Sequence, residues 1–437
     1  MLRKIIADRK IEYSSYTLVY AAAVLAAKAH LDYVTAVLLM AEAMFLFIWN
    51  FRKTKNLVDM RGLFTLAWVG GEGIACLKLS RLQSDWTFFL IYVCFNLGYD
   101  LWLGRFSKEQ RQEVKRDEIS AKRILICIFG LMAASIACFT LEAVVVGYIP
   151  LFNSAPHAYS YFHISGVHYF TISCILIPAL TVLYTKVTEK ISGRTWILLI
   201  AGNLTAVAIP ILCVSRFQLL FAVGFAAVMY LMLYKKITWK MIVTGLLIMI
   251  PVYVLLTVAR RHNVTYLNGI FEMKNSKMPI FITQPYIYVA NNFENFNCMV
   301  EQLTAHTWGL QMLFPFFALT GLKFVFPQLV TIPDFVTKTE LTTLTMFYDA
   351  YYDFGIIGTA LFAFIIGLTA AAVSILVRQK KNPMTYMFYG QIAIYLGLAF
   401  FTTWFSNPTT WFWLALTLMM YWFVGYRRKG KGSHGRK

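Results

Sequence analysis

Three arginines are spaced to hold an anion. Arg216 lies in Val214-Ser215-Arg216-Phe217, directly between two apolar runs, and Arg260 and Arg261, followed by His262, close the run after that. Two helices joined as a hairpin bring all three guanidinium groups to one face. The planar fork of a guanidinium matches phosphate oxygens, and several forks together suit a diphosphate. Two plainer readings compete. Arg216 can snorkel to lipid headgroups from a helix end, and Arg260 and Arg261 can pair with loop carboxylates such as Glu272 or Asp349.

A second constellation is Tyr348-Asp349-Ala350-Tyr351-Tyr352-Asp353-Phe354-Gly355, which leads into another apolar run. Tyr348, Tyr351 and Tyr352 offer aromatic faces, and Asp349 and Asp353 offer acceptors able to take a hydroxyl proton, the furniture of a sugar-binding cleft. The alternative is an aromatic belt at the membrane edge with Asp353 capping the helix. His262 is a further candidate base; His168, Asn291 and Asn292 are further candidate sugar contacts, although a histidine at a membrane edge commonly has a structural role.

The elements that must position these residues are membrane helices. Of 437 residues, 59% are apolar and 14% charged, a mixture too apolar for a soluble domain of this length. The expected fold is an all-α, polytopic helical bundle forming one transmembrane domain over residues 1–437. Its spans are expected near 12–28, 33–51, 62–79, 85–104, 124–144, 168–186, 195–213, 216–234, 239–258, 354–377, 383–405 and 408–426. With the N-terminus inside, the inner connections hold 30 of the 40 lysines and arginines. That bias places both termini in the cytoplasm and accounts for the net charge of +19 without nucleic acid.

Two connections on the opposite side are long, 145–167 and 259–353, and long loops in compact chains usually carry function. Within the second, Val289, Ala290, Phe293, Phe296, Val300 and Leu303 recur at helical spacing, with Asn291, Asn292, Glu294, Asn295 and Glu301 on other faces. This predicts an amphipathic helix from Tyr286 lying over the membrane face of the bundle. Residues 307–325, interrupted by Pro315, read as a re-entrant or interfacial segment.

Absences narrow the chemistry. No Asp-x-Asp or Glu-x-Asp pattern lies on an outer loop, no Gly-rich phosphate loop appears, and none of the seven cysteines forms a CxxC pair. No metal and no cofactor is expected. Acidic residues inside the apolar runs are few, chiefly Glu42, Glu72, Asp100 and Glu142, which speaks against an ion-coupled transporter.

The helix layout, the dominant late loop, Gly147-Tyr148-Ile149-Pro150-Leu151-Phe152, Ser215-Arg216-Phe217 and the Tyr348 to Gly358 segment together resemble the Wzy-type, or O-antigen, polymerases. The resemblance covers most of the chain from about residue 140 onward. Some relatives carry an arginine followed eleven positions later by glycine; Arg216, Arg260 and Arg261 do not. The resemblance implies a fold similar to the membrane glycosyltransferases that also include O-antigen ligases, in the bacterial inner membrane. It implies transfer of a growing glycan from undecaprenyl diphosphate to a second lipid-linked repeat unit on the outer face. Membrane lipid and a protein that sets chain length are the implied partners. An O-antigen ligase and a lipid-linked oligosaccharide flippase are the alternatives, the long loop speaking against the flippase.

Overall fold

The computed structural model describes residues 2–84, 88–106, 116–153, 158–235, 264–379 and 381–426, together with 243 and 247. The described residues are helical, with one isolated antiparallel bridge between Ser80 and Met273. The hairpin α1 (Leu2–Lys28) and α2 (Asp32–Thr54) precedes α3, residues 60–75, which passes through a π-helical turn at Leu66–Gly70. Then follow α4 (Phe89–Phe106), α5 (Glu118–Val146), α6 (Val167–Val187), α7 (Gly193–Leu212) and α8 (Arg216–Tyr234). After the expected span 239–258, of which only residues 243 and 247 are described, come α9 (Ile280–Gln302), α10 (Tyr348–Gln379), α11 (Thr385–Gly397) and α12 (Pro408–Gly425).

Among the described residues six helices, α2, α5, α6, α7, α8 and α10, are long and apolar enough to cross a membrane, and a shorter apolar helix covers Phe89–Trp102. This is the pattern of a helical membrane protein. Exposed Val144, Ile197 and Ile357 fit lipid-facing surfaces, where an apolar side chain costs nothing. The twelve expected runs do not all become full spans. The run 62–79 leaves the helix after Ala75, where Lys78 turns the backbone left-handed (φ 45°). The run 383–405 yields only the 13 residues of α11, roughly 20 Å of helix, before the chain breaks at Leu398.

Two glycines set the closest helix crossing. A Cβ on Gly98 of α4 would strike the carbonyl oxygen of Phe364, and one on Gly367 of α10 that of Phe95, so these small residues let the two backbones touch. Aromatic packing extends that contact to α3 and α9: Trp68 lies 5.0 Å from Phe293 and 4.9 Å from Phe347 between ring centroids, and Phe64 lies 4.0 Å from Phe95. α9 is thereby keyed into the bundle. The expected amphipathic helix exists, starting at Ile280, but most of its polar residues are buried: Asn291, Asn292, Glu294, Asn295 and Asn297 are, and Glu301 is exposed. Residues 307–325 form only short helices, Phe314–Leu319 and Leu322–Val325, with Phe316, Phe324 and Val325 exposed, and pack beside α12.

Candidate functional site

The corner at Arg216 is built by a tight turn. Val214 adopts a left-handed conformation (φ 53°), and the Ser215 hydroxyl caps α8 by accepting from the Gln218 amide at 3.4 Å. Arg216 thus becomes the first helical residue, at the positive end of the α8 dipole. Its Nη1 donates to Gln284 Oε1 of α9 at 2.9 Å. The two groups share a cavity of about 290 Å³ whose polar lining includes Tyr159, Tyr288, Asn291 and Glu340. Both long connections contribute, Tyr159 from 145–167 and Glu340 from the second.

The asparagines of α9 are brackets. Asn295 Nδ2 donates to the carbonyls of Leu341 (2.7 Å) and Thr343 (2.9 Å), while its Oδ1 accepts from the Thr337 amide (2.9 Å). Asn292 Nδ2 donates to the carbonyls of Tyr288 (2.7 Å) and Phe400 (2.8 Å), and its Oδ1 accepts from Thr343. Asn292, expected among the sugar contacts, thus bonds to protein through both amide atoms and does not line the Arg216 cavity. Asn291 accepts from the Thr337 hydroxyl (2.9 Å) and still lines the cavity. The buried amides hold the 337–343 segment, and with it Glu340, over Arg216.

At the entry of α10 the aspartates divide. Asp353 is fully buried and accepts from the amides of Gln311 (3.1 Å) and Met312 (2.8 Å) and from the Thr307 hydroxyl. Two residues later Gly355 kinks the helix (φ 62°, ψ −152°), and His306 fills the space a Cβ would need. Asp353 is thus neither an N-cap nor an available base: it latches the 306–312 loop onto α10. Replacing it with alanine is expected to cost about 1–2 kcal/mol, because two partly buried amides lose their acceptor. Thermal unfolding in detergent and protease cleavage within 306–313 check this. Unchanged stability with lost activity would return Asp353 to the candidate bases.

Asp349 lies beside the hydroxyls of Thr403 and Ser406. The same turn stacks Phe401 on Phe217 at 4.7 Å, so Asp349 and Arg216 flank the 400–406 turn from two sides. Tyr348 is buried, its hydroxyl accepting from the Phe335 amide (2.8 Å) and donating to the Phe335 carbonyl (3.1 Å), and Tyr352 donates to Pro333 O (3.0 Å). These phenols anchor a loop rather than face a cleft. Tyr351 lines a different, mostly apolar cavity of about 430 Å³ between α4, α9 and α10.

His168 does not line the Arg216 cavity. Its Nδ1 lies 3.1 Å from Glu142, a fully buried carboxylate that also accepts from the Ile164 amide (3.0 Å) and the Thr171 hydroxyl (2.8 Å). The pair pins the 145–167 connection to α5. Arg260, Arg261 and His262 lie outside the described residues. Glu272, an expected partner for those arginines, pairs with Lys338 at 2.7 Å. Sequence reasoning missed Gln284, Tyr159 and Glu340; for Glu340 the one signal is an acidic residue in the threonine-rich run 337–345. Among the described residues no group of three or more His, Cys, Asp or Glu is arranged to hold a metal ion.

The fold and this cavity define a helical membrane protein with a pocket that holds Arg216 and Glu340 under two long connections. No protein-family model matches the chain, and neither curated proteins nor solved structures show significant similarity to it.

Proposed function

We propose that the chain polymerises oligosaccharide repeat units carried on undecaprenyl diphosphate, by glycosyl transfer on the outer face of the bacterial inner membrane, with both termini cytoplasmic. The observation that carries this reading is the Arg216 cavity: a guanidinium at a helix N-terminus, beside amide, phenol and carboxylate groups, under the two long connections. An acceptor hydroxyl attacks the anomeric carbon as the bond to the diphosphate breaks. The electron pair leaves with the diphosphate, where Arg216 offsets the growing charge. The hydroxyl proton passes to a carboxylate, and Glu340 is the described carboxylate that lines the cavity with Arg216. Chain-length control by a partner protein belongs to this reading.

A transporter of lipid-linked oligosaccharides is the second reading, favoured by buried Glu42 and Glu72 among α1, α2 and α3. Purified protein incubated with a synthetic polyprenyl-diphosphate-linked repeat unit separates the two. A ladder of lengthened glycans is the expected result. Folded protein that builds no ladder, yet moves the lipid-linked unit across a proteoliposome membrane, would replace polymerase by transporter.

A further inference from the structure

A second polar site lies among α1, α2 and α3, and sugar transfer makes no use of it. Glu72, 1% exposed, accepts from the Tyr20 hydroxyl through Oε1, and Tyr20 in turn accepts from the Phe88 amide at 2.6 Å. Among the described residues Glu72 Oε2 has no hydrogen-bond partner. Glu42 accepts from Ser15 at 3.1 Å through Oε2, and its Oε1 has no partner among the described residues. The buried Tyr16 hydroxyl, likewise without a described partner, is near enough to both carboxylates to feel their charge. Among the described residues neither glutamate has an ion-pair partner. A cavity of about 270 Å³ reaches Glu72 past Tyr20, Thr35, Cys76 and Ser84, with exposed Lys28 at its edge.

Two ionised carboxylates without a counter-charge are costly inside an apolar bundle, and intramembrane acids of this kind mark ion or proton paths. A metal ion needs several converging oxygen ligands, whereas a proton needs one free carboxylate oxygen and a route. The corner supplies both. The cavity also adjoins α9: a Cβ on Gly71 would meet the Phe293 ring at 3.0 Å, and Ser84 is held by Glu294 at 2.6 and 2.9 Å. α9 thus packs behind Ser84 of this cavity and lines the Arg216 cavity through Gln284, Tyr288 and Asn291.

We propose that Glu72 is a proton-binding site, loaded through this cavity from the side of the bundle that carries the long connections. The groups facing it are Tyr16, Tyr20 and Lys28 of α1, Glu42 of α2, Cys76 of α3, Tyr92 of α4 behind Tyr16, and Glu294 of α9 behind Ser84. Protonated, Glu72 is neutral and carries its proton on Oε2, the oxygen with no partner among the described residues. The site goes beyond the sugar-transfer reading and does not depend on it.

The test is labelling of the full-length protein in lipid nanodiscs with dicyclohexylcarbodiimide, an apolar reagent that attacks protonated carboxyls, with adducts located by mass spectrometry. The expected result is an adduct on Glu72 whose yield falls several-fold as pH is raised. In Tyr20→Phe the adduct persists and its pH profile moves. Glu72 left unmodified in folded protein, an adduct confined to Glu42, or a yield indifferent to pH would overturn the proposal. Protection by sodium at constant pH would overturn it in favour of a metal-ion site.

Discussion

Replacing Arg216 with lysine is expected to cut chain growth roughly 100- to 1,000-fold, the loss that follows removal of one positioned donor from a developing anion. The substitution keeps the charge and removes the fork, so it isolates geometry. Arg216 is held by the Ser215 cap behind it and Gln284 beside it, within a cavity where an electrostatic contact is worth more than in bulk water. An ammonium on a flexible stem cannot hold Gln284 and a diphosphate oxygen in the same plane. The loss should fall on kcat more than on KM, because the charge on the leaving group grows in the transition state. Initial rates of ladder formation, at matched amounts of folded protein, measure it. Near-normal polymer length from the lysine variant would remove Arg216 from the site.

The helices were legible because lipid demands long apolar runs, and α5, α7, α8 and α12 follow those runs closely. What periodicity does not carry is the partner on the other side. The polar stripe of α9 reads as a water-facing surface, yet Asn292 and Asn295 are spent on backbone carbonyls as far as 108 residues away. Asp349 and Asp353 stand four apart at the same helix entry, and segments distant in sequence separate them: Thr403 and Ser406 lie beside one, while the Gln311 and Met312 amides hold the other. Arg216 stood out because an arginine between two apolar runs is conspicuous. Glu340 did not, since a threonine-rich segment has no period to read.

The charges assigned to topology hide the second large effect. Arg61→Met is expected to destabilise the protein by about 3–5 kcal/mol, the cost of removing one partner from a buried ion pair. Arg61 is 2% exposed; its Nη1 donates to Glu12 at 3.1 Å and its Nη2 to Asp100, while its guanidinium lies 4.7 Å from the Tyr99 ring. Arg9 reaches Glu12 (2.6 Å) and Asp100 (3.4 Å), Lys53 reaches Glu12 (3.0 Å), and Tyr13 donates to Asp100 (2.9 Å). One network thus ties α1, α2, α3 and α4 at the ends remote from Lys28 and Lys78. Lys53 is 37% exposed, so its pair is screened and contributes little, and Arg61 is the most deeply buried of the cations that compensate the two carboxylates. Removing the anions with the cation should cost less: the combined Glu12→Gln, Asp100→Asn, Arg61→Met variant is expected to unfold later than Arg61→Met alone, since both buried carboxylates are then neutral and the cation left, Arg9, lies nearer the surface. Thermal unfolding of the purified proteins in one detergent decides it. A single variant as stable as the parent would mean that Arg9 and Lys53 suffice, and that Arg61 is only one more positive charge at that end of the bundle.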